Sequence, residues 1–261
     1  MLVEPANHEE LHKRRVYRNP PIVEAIVELK FLGGKPWNLT IPGRFYDHIK
    51  DEFPDEPEQR DVVEASFGEN KAPDEGMFSV NRVGQRVLFR NGNRLVVIGP
   101  NTLSINSVRP YEGWESLKLR VRRALEVYRS VLSPDAISGI GVRYVNKIEI
   151  PPGPFRLQDY FTVGQGLPPT GFPVQLTSFF DRMELAYDEI PATIAFTWAS
   201  AKSEKAEASA FVLDLDLRWN ESCSFEDTLK NIQDLRDRER LAFESLINDR
   251  LRETFDADEN S

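Results

Sequence analysis

Apolar and polar positions alternate with a period of two along several stretches of this chain, and recur with the period of a helix along others. From Ile22 to Phe31, Val23, Ala25, Val27, Leu29 and Phe31 alternate with Glu24, Glu28 and Lys30. That is a strand with one face on a core. Pro20-Pro21 sets its extended entry and Gly33-Gly34 its closing turn. A helix is predicted around Pro42–Phe53, ended by Pro54, followed by a short strand at Val62–Phe67 and a Pro/Gly-marked loop, Asn70–Gly76. Val83-Gly84 and Asn91-Gly92 punctuate the next alternation at hairpin spacing, and Asn-Gly favours a two-residue type I′ turn. Two hairpins are predicted, with Val80 facing Val87, Phe78 facing Phe89 and Val87 facing Val96. Phe78, Val80, Val87, Phe89, Val96 and Ile98 then share a core face, and Asn81, Arg86, Leu88, Arg90, Leu95 and Val97 lie opposite. Thr102–Val108 adds a strand. Trp114, Leu117, Val121, Leu125, Tyr128 and Leu132 recur at helical spacing until Ser133-Pro134.

Beyond Pro134 the order of elements recurs. Ile140, Val142, Tyr144, Ile148 and Ile150 alternate with Arg143, Lys147 and Glu149, and a short helix is predicted at Leu157–Phe161. Strands are predicted at Leu176–Tyr187, Thr193–Ala199 and Phe211–Trp219, and a long helix from a Ser224 N-cap to about Phe255. The sequence thus predicts an α+β protein of two similar β-α-β(3-4)-α halves with antiparallel sheets and long C-terminal helices. A mobile segment, 1–18, precedes the halves at 19–134 and 135–256, and 257–261 forms a tail. Joined edge to edge, two such sheets give a TATA-binding-protein-like saddle. The alternative is a tandem ferredoxin-like pair in which Ile140–Ile150 returns to the first sheet.

Charge divides the chain further. Its net charge of −9 hides 12 basic against 4 acidic side chains over residues 77–147, while 1–76 carry 10 against 16 and 148–261 carry 11 against 22. Ten of the island's twelve cations are arginine, the side chain suited to bidentate contact with carboxylate or phosphate. They either pair with the acidic flanks or form an anion-binding face. No apolar run approaches the roughly 20 residues of a membrane span. The single cysteine, Cys223, allows no internal disulfide and fits a cytoplasmic protein.

Catalytic motifs are few. His8-Glu9-Glu10-Leu11-His12 matches a zinc-binding spacing, but it precedes any apolar periodicity and the only further histidine is His48, so no metal or cofactor is expected. The same scarcity disfavours a Ser-His-Asp or Cys-His site. Gly139-Ile140-Gly141 opens a strand and so does not cradle a phosphate. Asp214 and Asp216 share one strand face at a spacing that can hold a divalent cation; they are the basis of an alternative reading as a metal-dependent phosphoryl-transfer enzyme or nuclease. The leading expectation is a non-enzymatic binding protein. Its arginine-bearing sheet face, with Arg86, Arg90, Asn81, Arg143 and Lys147, takes a protein partner or an anionic ligand, nucleic acid included. A homodimeric scaffold joined through its sheet faces is a further alternative.

The stretch Tyr17-Arg18-Asn19-Pro20-Pro21-Ile22-Val23-Glu24-Ala25-Ile26, with Tyr111-x-x-Trp114-Glu115 and Glu239–Phe243, resembles a sporadically distributed prokaryotic family of uncharacterised proteins of roughly 250 residues. The resemblance spans almost the whole chain and brings no catalytic residue with it. The patchy distribution implies an accessory gene, of a defence or toxin-linked locus.

Overall fold

Every predicted alternation draws its strand into a single sheet. A computed structural model describes residues 15–67, 78–163, 177–205 and 207–256, with the backbone alone for 61–67 and 78–84. The strands are β1 (Ile22–Leu32), β2 (Glu58–Phe67), β3 (Phe78–Asn91), β4 (Arg94–Gly99), β5 (Thr102–Val108), β6 (Ala136–Ile150), β7 (Phe180–Ala186), β8 (Ala192–Ala201) and β9 (Ser209–Trp219). They form one nine-stranded sheet in the order β2-β3-β4-β5-β1-β6-β9-β8-β7, with every neighbouring pair antiparallel. The sheet is larger than the three or four strands expected of each half, because β6 lies directly beside β1 along ten paired positions. Strands of the first half stay on one side of that seam and strands of the second on the other.

The inward positions of these strands and the apolar stripes of the helices bury one another. The short helix predicted at Leu157–Phe161 is a single 3-10 turn, Leu157–Asp159. Four α-helices are described: α1 (Thr40–Ile49), α2 (Trp114–Leu132), α3 (Thr228–Leu246) and α4 (Asp249–Asp256). All contribute to one core with Ala25, Val27 and Leu29 of β1, and with Leu213, Leu215 and Leu217 of β9. Phe45 of α1 stacks on Phe89 at 5.4 Å, and Tyr128 of α2 on Phe31 at 4.3 Å. In α2, Leu117, Val121 and Tyr128 are buried as their spacing predicts, while Leu119 points to solvent at 64% exposure. The apolar stripe is narrow enough to leave one side of the helix wet.

Two turn predictions are corrected. Val83-Gly84 makes no hairpin: β3 runs through it, with Val80 opposite Ala65 and Phe78 opposite Phe67 of β2. Pairing jumps from Val62–Gly84 to Val63–Arg82, so Val83 is absorbed as a one-residue bulge. A β-branched valine is ill suited to the positive φ that a type I′ turn demands. The second hairpin exists, but Asn91 pairs with Arg94 and the turn falls on Gly92-Asn93, with Gly92 at φ +57°. This moves Phe89 opposite Val96 and Val87 opposite Ile98. A shift of two residues preserves the face of every side chain, so Val87, Phe89, Val96 and Ile98 are buried together as predicted despite the wrong register; the side chains of Phe78 and Val80 lie outside the described residues.

The last predicted helix is two helices. Ile247 is extended (φ −122°, ψ 150°) between α3 and α4, buried, and bridged to Phe161. The chain leaves the helix there to place one more aliphatic group in the core. Ser224 Oγ accepts the Asp227 backbone N–H just before α3, whose N-cap position is Asp227. Near the start of the described chain, Tyr17 donates to Glu244 Oε1 at 2.7 Å and packs edge-on to Phe255. Among the described residues no helix is long and apolar enough to cross a membrane.

Candidate functional site

The outward face of the sheet is set by register. Three rows cross the seam: Ser104–Glu28–Gly141–Arg218, then Asn106–Ile26–Arg143–Asp216, then Val108–Glu24–Val145–Asp214. Alternation along β1, β6 and β9 therefore gathers on one face the charges that each strand keeps out of the core. Arg143 grips Asp214 with two bonds, Nε at 2.9 Å and Nη2 at 2.6 Å. Hydrogen bonding to Asp214 raises the arginine above its ordinary pKa. Arg218 holds Asp216, with Nη2 3.0 Å from Oδ2, and reaches Glu28 Oε1 at 2.8 Å. To do so it crosses β6 over Gly141, where a Cβ would lie 2.6 Å from Arg218 Nη1. Only glycine leaves that path open. Asn106 donates to Glu24 at 2.7 Å and accepts from Ser104 at 2.7 Å.

Much of the basic island is spoken for by carboxylates. Arg86 stands 3.8 Å from Glu28, Lys147 2.6 Å from Glu204, and Arg123 3.4 Å from Glu52. Arg94 and Arg120 clamp Glu112 from two sides. Four of these partners, Glu28, Asp214, Glu204 and Glu52, come from the acidic flanks, which is the first of the two readings the charge division allowed. The +8 of the island is consequently not the charge of any one surface.

Within this face lies a depression of about 200 Å³, lined by Ile26, Glu28, Arg86, Val97, Ser104, Asn106, Gly141, Arg143 and Arg218. It is smaller than the roughly 300–1,000 Å³ of a drug-sized ligand site. It suits one functional group rather than a whole cofactor. Of its three arginines, Arg143 and Arg218 each hold an aspartate through two contacts, while among the described residues Arg86 meets a carboxylate only at 3.8 Å. Arg86 is thus the guanidinium most easily turned to a newcomer.

The expected site residues separate. Arg86 and Arg143 line the depression, whereas Arg90, opposite Leu95, reaches the carbonyl of Gly92 at 3.4 Å. Lys147 is taken by Glu204. Asn81 pairs with Glu64 through the backbone, and its side chain lies outside the described residues. Glu28, Ser104, Asn106 and Arg218 were not singled out by sequence. The alternation at Glu28 and Arg218 and the Gly139-x-Gly141 pair carry the signal, since a strand glycine marks close approach by another group. Asp214 and Asp216 both face arginine, and no group of three or more His, Cys, Asp or Glu gathers among the described residues. The His8–His12 motif lies outside them. His48 is on α1, in the helical layer. Burial pushes the Cys223 thiol up, against hydrogen bonds to Thr228 and Asn231.

On the helix side, Tyr111, Trp114 and Glu239, from two separate motifs, meet around Arg236. Tyr111 and Tyr144 share a hydrogen bond at 2.9 Å. The Arg236 guanidinium lies 4.2 Å over the Tyr144 ring and 6.0 Å from that of Trp114, and pairs with Glu239. Trp114 Nε1 and Lys118 both donate to Gln233 Oε1 of α3. Burial pushes Glu239 up to about 7 against the pull of Arg236, and burial raises Tyr144 well above its ordinary value. The cluster pins α3 to α2 and β6 around a buried acid, Glu239, which is 2% exposed.

No protein-family model matches this chain, and no curated protein matches it.

Proposed function

We propose that this chain is a non-enzymatic binding protein whose outward sheet face receives an anionic group, a phosphate or carboxylate of a ligand or protein partner, in the depression at Arg86. The observation that carries it is the convergence of Arg86, Arg143 and Arg218 on one small concavity beside Ile26 and Val97. Guanidinium forks favour planar or tetrahedral oxyanions, and the aliphatic floor lowers the local dielectric and strengthens the pairing. In binding, Arg86 exchanges its 3.8 Å contact with Glu28 for the incoming anion, while Arg218 continues to neutralise Glu28.

The grouping of β1–β5 on one side of the β1–β6 seam and β6–β9 on the other supports reading the sheet as a duplicated β-α-β-α unit bent into a saddle. The converging Tyr111, Trp114 and Glu239 support the resemblance to the sporadic prokaryotic family and, with it, a cytoplasmic accessory protein of a defence or toxin-linked locus.

Citrate and inorganic pyrophosphate are anions of the depression's scale. Calorimetric titration of the full chain with each tests the reading. Binding of at least one is expected, weakened about tenfold or more by Arg86→Glu, since reversal of a contacting charge costs on the order of 1–3 kcal/mol. No heat with either anion, or equal binding by the variant, would contradict it.

A further inference from the structure

Among the described residues the sheet ends at β7, and none of them covers this edge. All seven of its residues are exposed, with Phe180 at 70%, Met183 at 49% and Leu185 at 55%. Edge strands are commonly blunted by proline, a bulge or charged side chains that repel a partner; Phe180–Ala186 has neither proline nor bulge, and the two charges on its outward face, Arg182 and Glu184, are of opposite sign.

The backbone of the edge is oriented for a partner. Tyr187 donates to Ala192 and Ser200 to Phe179, each across directly opposed positions of the β7–β8 ladder. In an antiparallel ladder the residues exchanging such bonds alternate with residues whose N–H and C=O point the other way. The odd-numbered residues of β7 therefore bond to β8, and Phe180, Arg182, Glu184 and Ala186 direct their backbone groups to the free side.

We propose that two copies of this chain pair through β7, antiparallel about a two-fold axis at Met183, to form one continuous eighteen-stranded sheet. An axis perpendicular to the sheet keeps both copies' faces aligned, so it must pass through a residue position. Centred on Met183, it sets Arg182 opposite Glu184 of the second copy and Glu184 opposite Arg182, giving two cross-strand ion pairs. It also brings Phe180 opposite Ala186, so all seven residues and all four outward-directed backbone positions are matched. Centred one residue earlier it opposes Arg182 to Arg182; one residue later, Glu184 to Glu184. Like charges directly opposite destabilise a strand pair, so the charge pattern selects one register. Met183 meets its own copy on the helix side, beside Leu185. The two outward faces then look the same way, and their depressions form a bivalent surface.

A seven-residue edge buries less than the roughly 1,200–2,000 Å² of a standard stable interface, so association belongs in the micromolar range. The test is sedimentation equilibrium of the full 29.9 kDa chain over about 1–200 µM, with melting curves to show that each variant is folded. A concentration-dependent dimer is expected for the wild type. Arg182→Glu alone and Glu184→Arg alone each place like charges opposite one another, and each raises the dissociation constant about tenfold or more. The charge-swapped pair Arg182→Glu/Glu184→Arg restores the dimer. Glu184→Pro removes an outward N–H without touching the β8 ladder and abolishes it. A wild-type monomer at every concentration overturns the proposal. So does a dimer indifferent to the single reversals, or a double variant no better than the singles.

Discussion

Gly141 and Glu239 show how single positions divide the work between the two sides of the sheet. At Gly141 the missing side chain lets Arg218 pass over β6 to Glu28. Gly141→Ala should break that bond while leaving the strand intact. Because Arg218 is one-third exposed, the cost is expected to stay below about 1 kcal/mol, and in a double-mutant cycle with Glu28→Gln the two effects should not add. Full additivity in denaturant melts would contradict the path drawn for Arg218. Glu239 acts oppositely, as a buried acid. Its folded pKa of about 7, raised chiefly by burial, lies above its value in an unfolded chain. The folded state therefore binds the extra proton, and this residue's contribution is fully present below about pH 4.5 and is lost as pH rises toward 7. Glu239→Gln should remove a fall of about 3 kcal/mol in stability between those pH values, as linkage at 1.4 kcal/mol per unit requires. Unfolding free energies measured from pH 4.5 to 7.5, with the same slope in wild type and variant, would refute it.

Among the elements, those whose two faces meet different media were the most legible from sequence. α2 begins and ends where its periodicity predicts, at Trp114 and Leu132, because its apolar stripe and the Ser133-Pro134 stop agree. Leu117→Ala, at a fully buried position of that stripe, is expected to cost about 2–5 kcal/mol. Leu119→Ala, two residues away and exposed, should stay within about 0.5 kcal/mol. Thermal or urea unfolding of the two distinguishes them, and similar costs would mean the helix is packed on another side. β9 was equally readable, with Leu213, Leu215 and Leu217 inward and Asp214, Asp216 and Arg218 outward. Turns and breaks were not. The bulge at Val83 and the break at Ile247 depend on what β2 and Phe161 offer across space, and local sequence carries no record of those partners. At the other edge, the pattern Phe180-Asp181-Arg182-Met183-Glu184-Leu185-Ala186 reads in isolation as an ordinary half-buried strand. Its self-complementarity acquires meaning only once it is seen to end the sheet.

For the whole molecule, one wide sheet separates a helical side that holds the fold from an outward side that holds paired charge. Of the basic island, Arg86 and Arg143 share the outward depression, while Arg90 and Lys147 do not line it. A sum along the sequence left open whether these cations pair with the acidic flanks or form an anion-binding face; Glu28 and Asp214 come from remote strands to pair with Arg86 and Arg143. Glu28 and Arg218 are 190 positions apart and meet only through the β1–β6–β9 order. The central claim is that this outward face is the binding surface. Its most direct measurement is the material retained from a native-host lysate by three immobilised full-length proteins: wild type, Arg86→Glu/Arg143→Glu, and Arg122→Glu. The last reverses an exposed charge on the helical side. Bound proteins, nucleic acids and small molecules are identified by mass spectrometry. The account predicts a defined component held by wild type and by Arg122→Glu and lost from the double variant at unchanged melting temperature; retention by all three alike would contradict it.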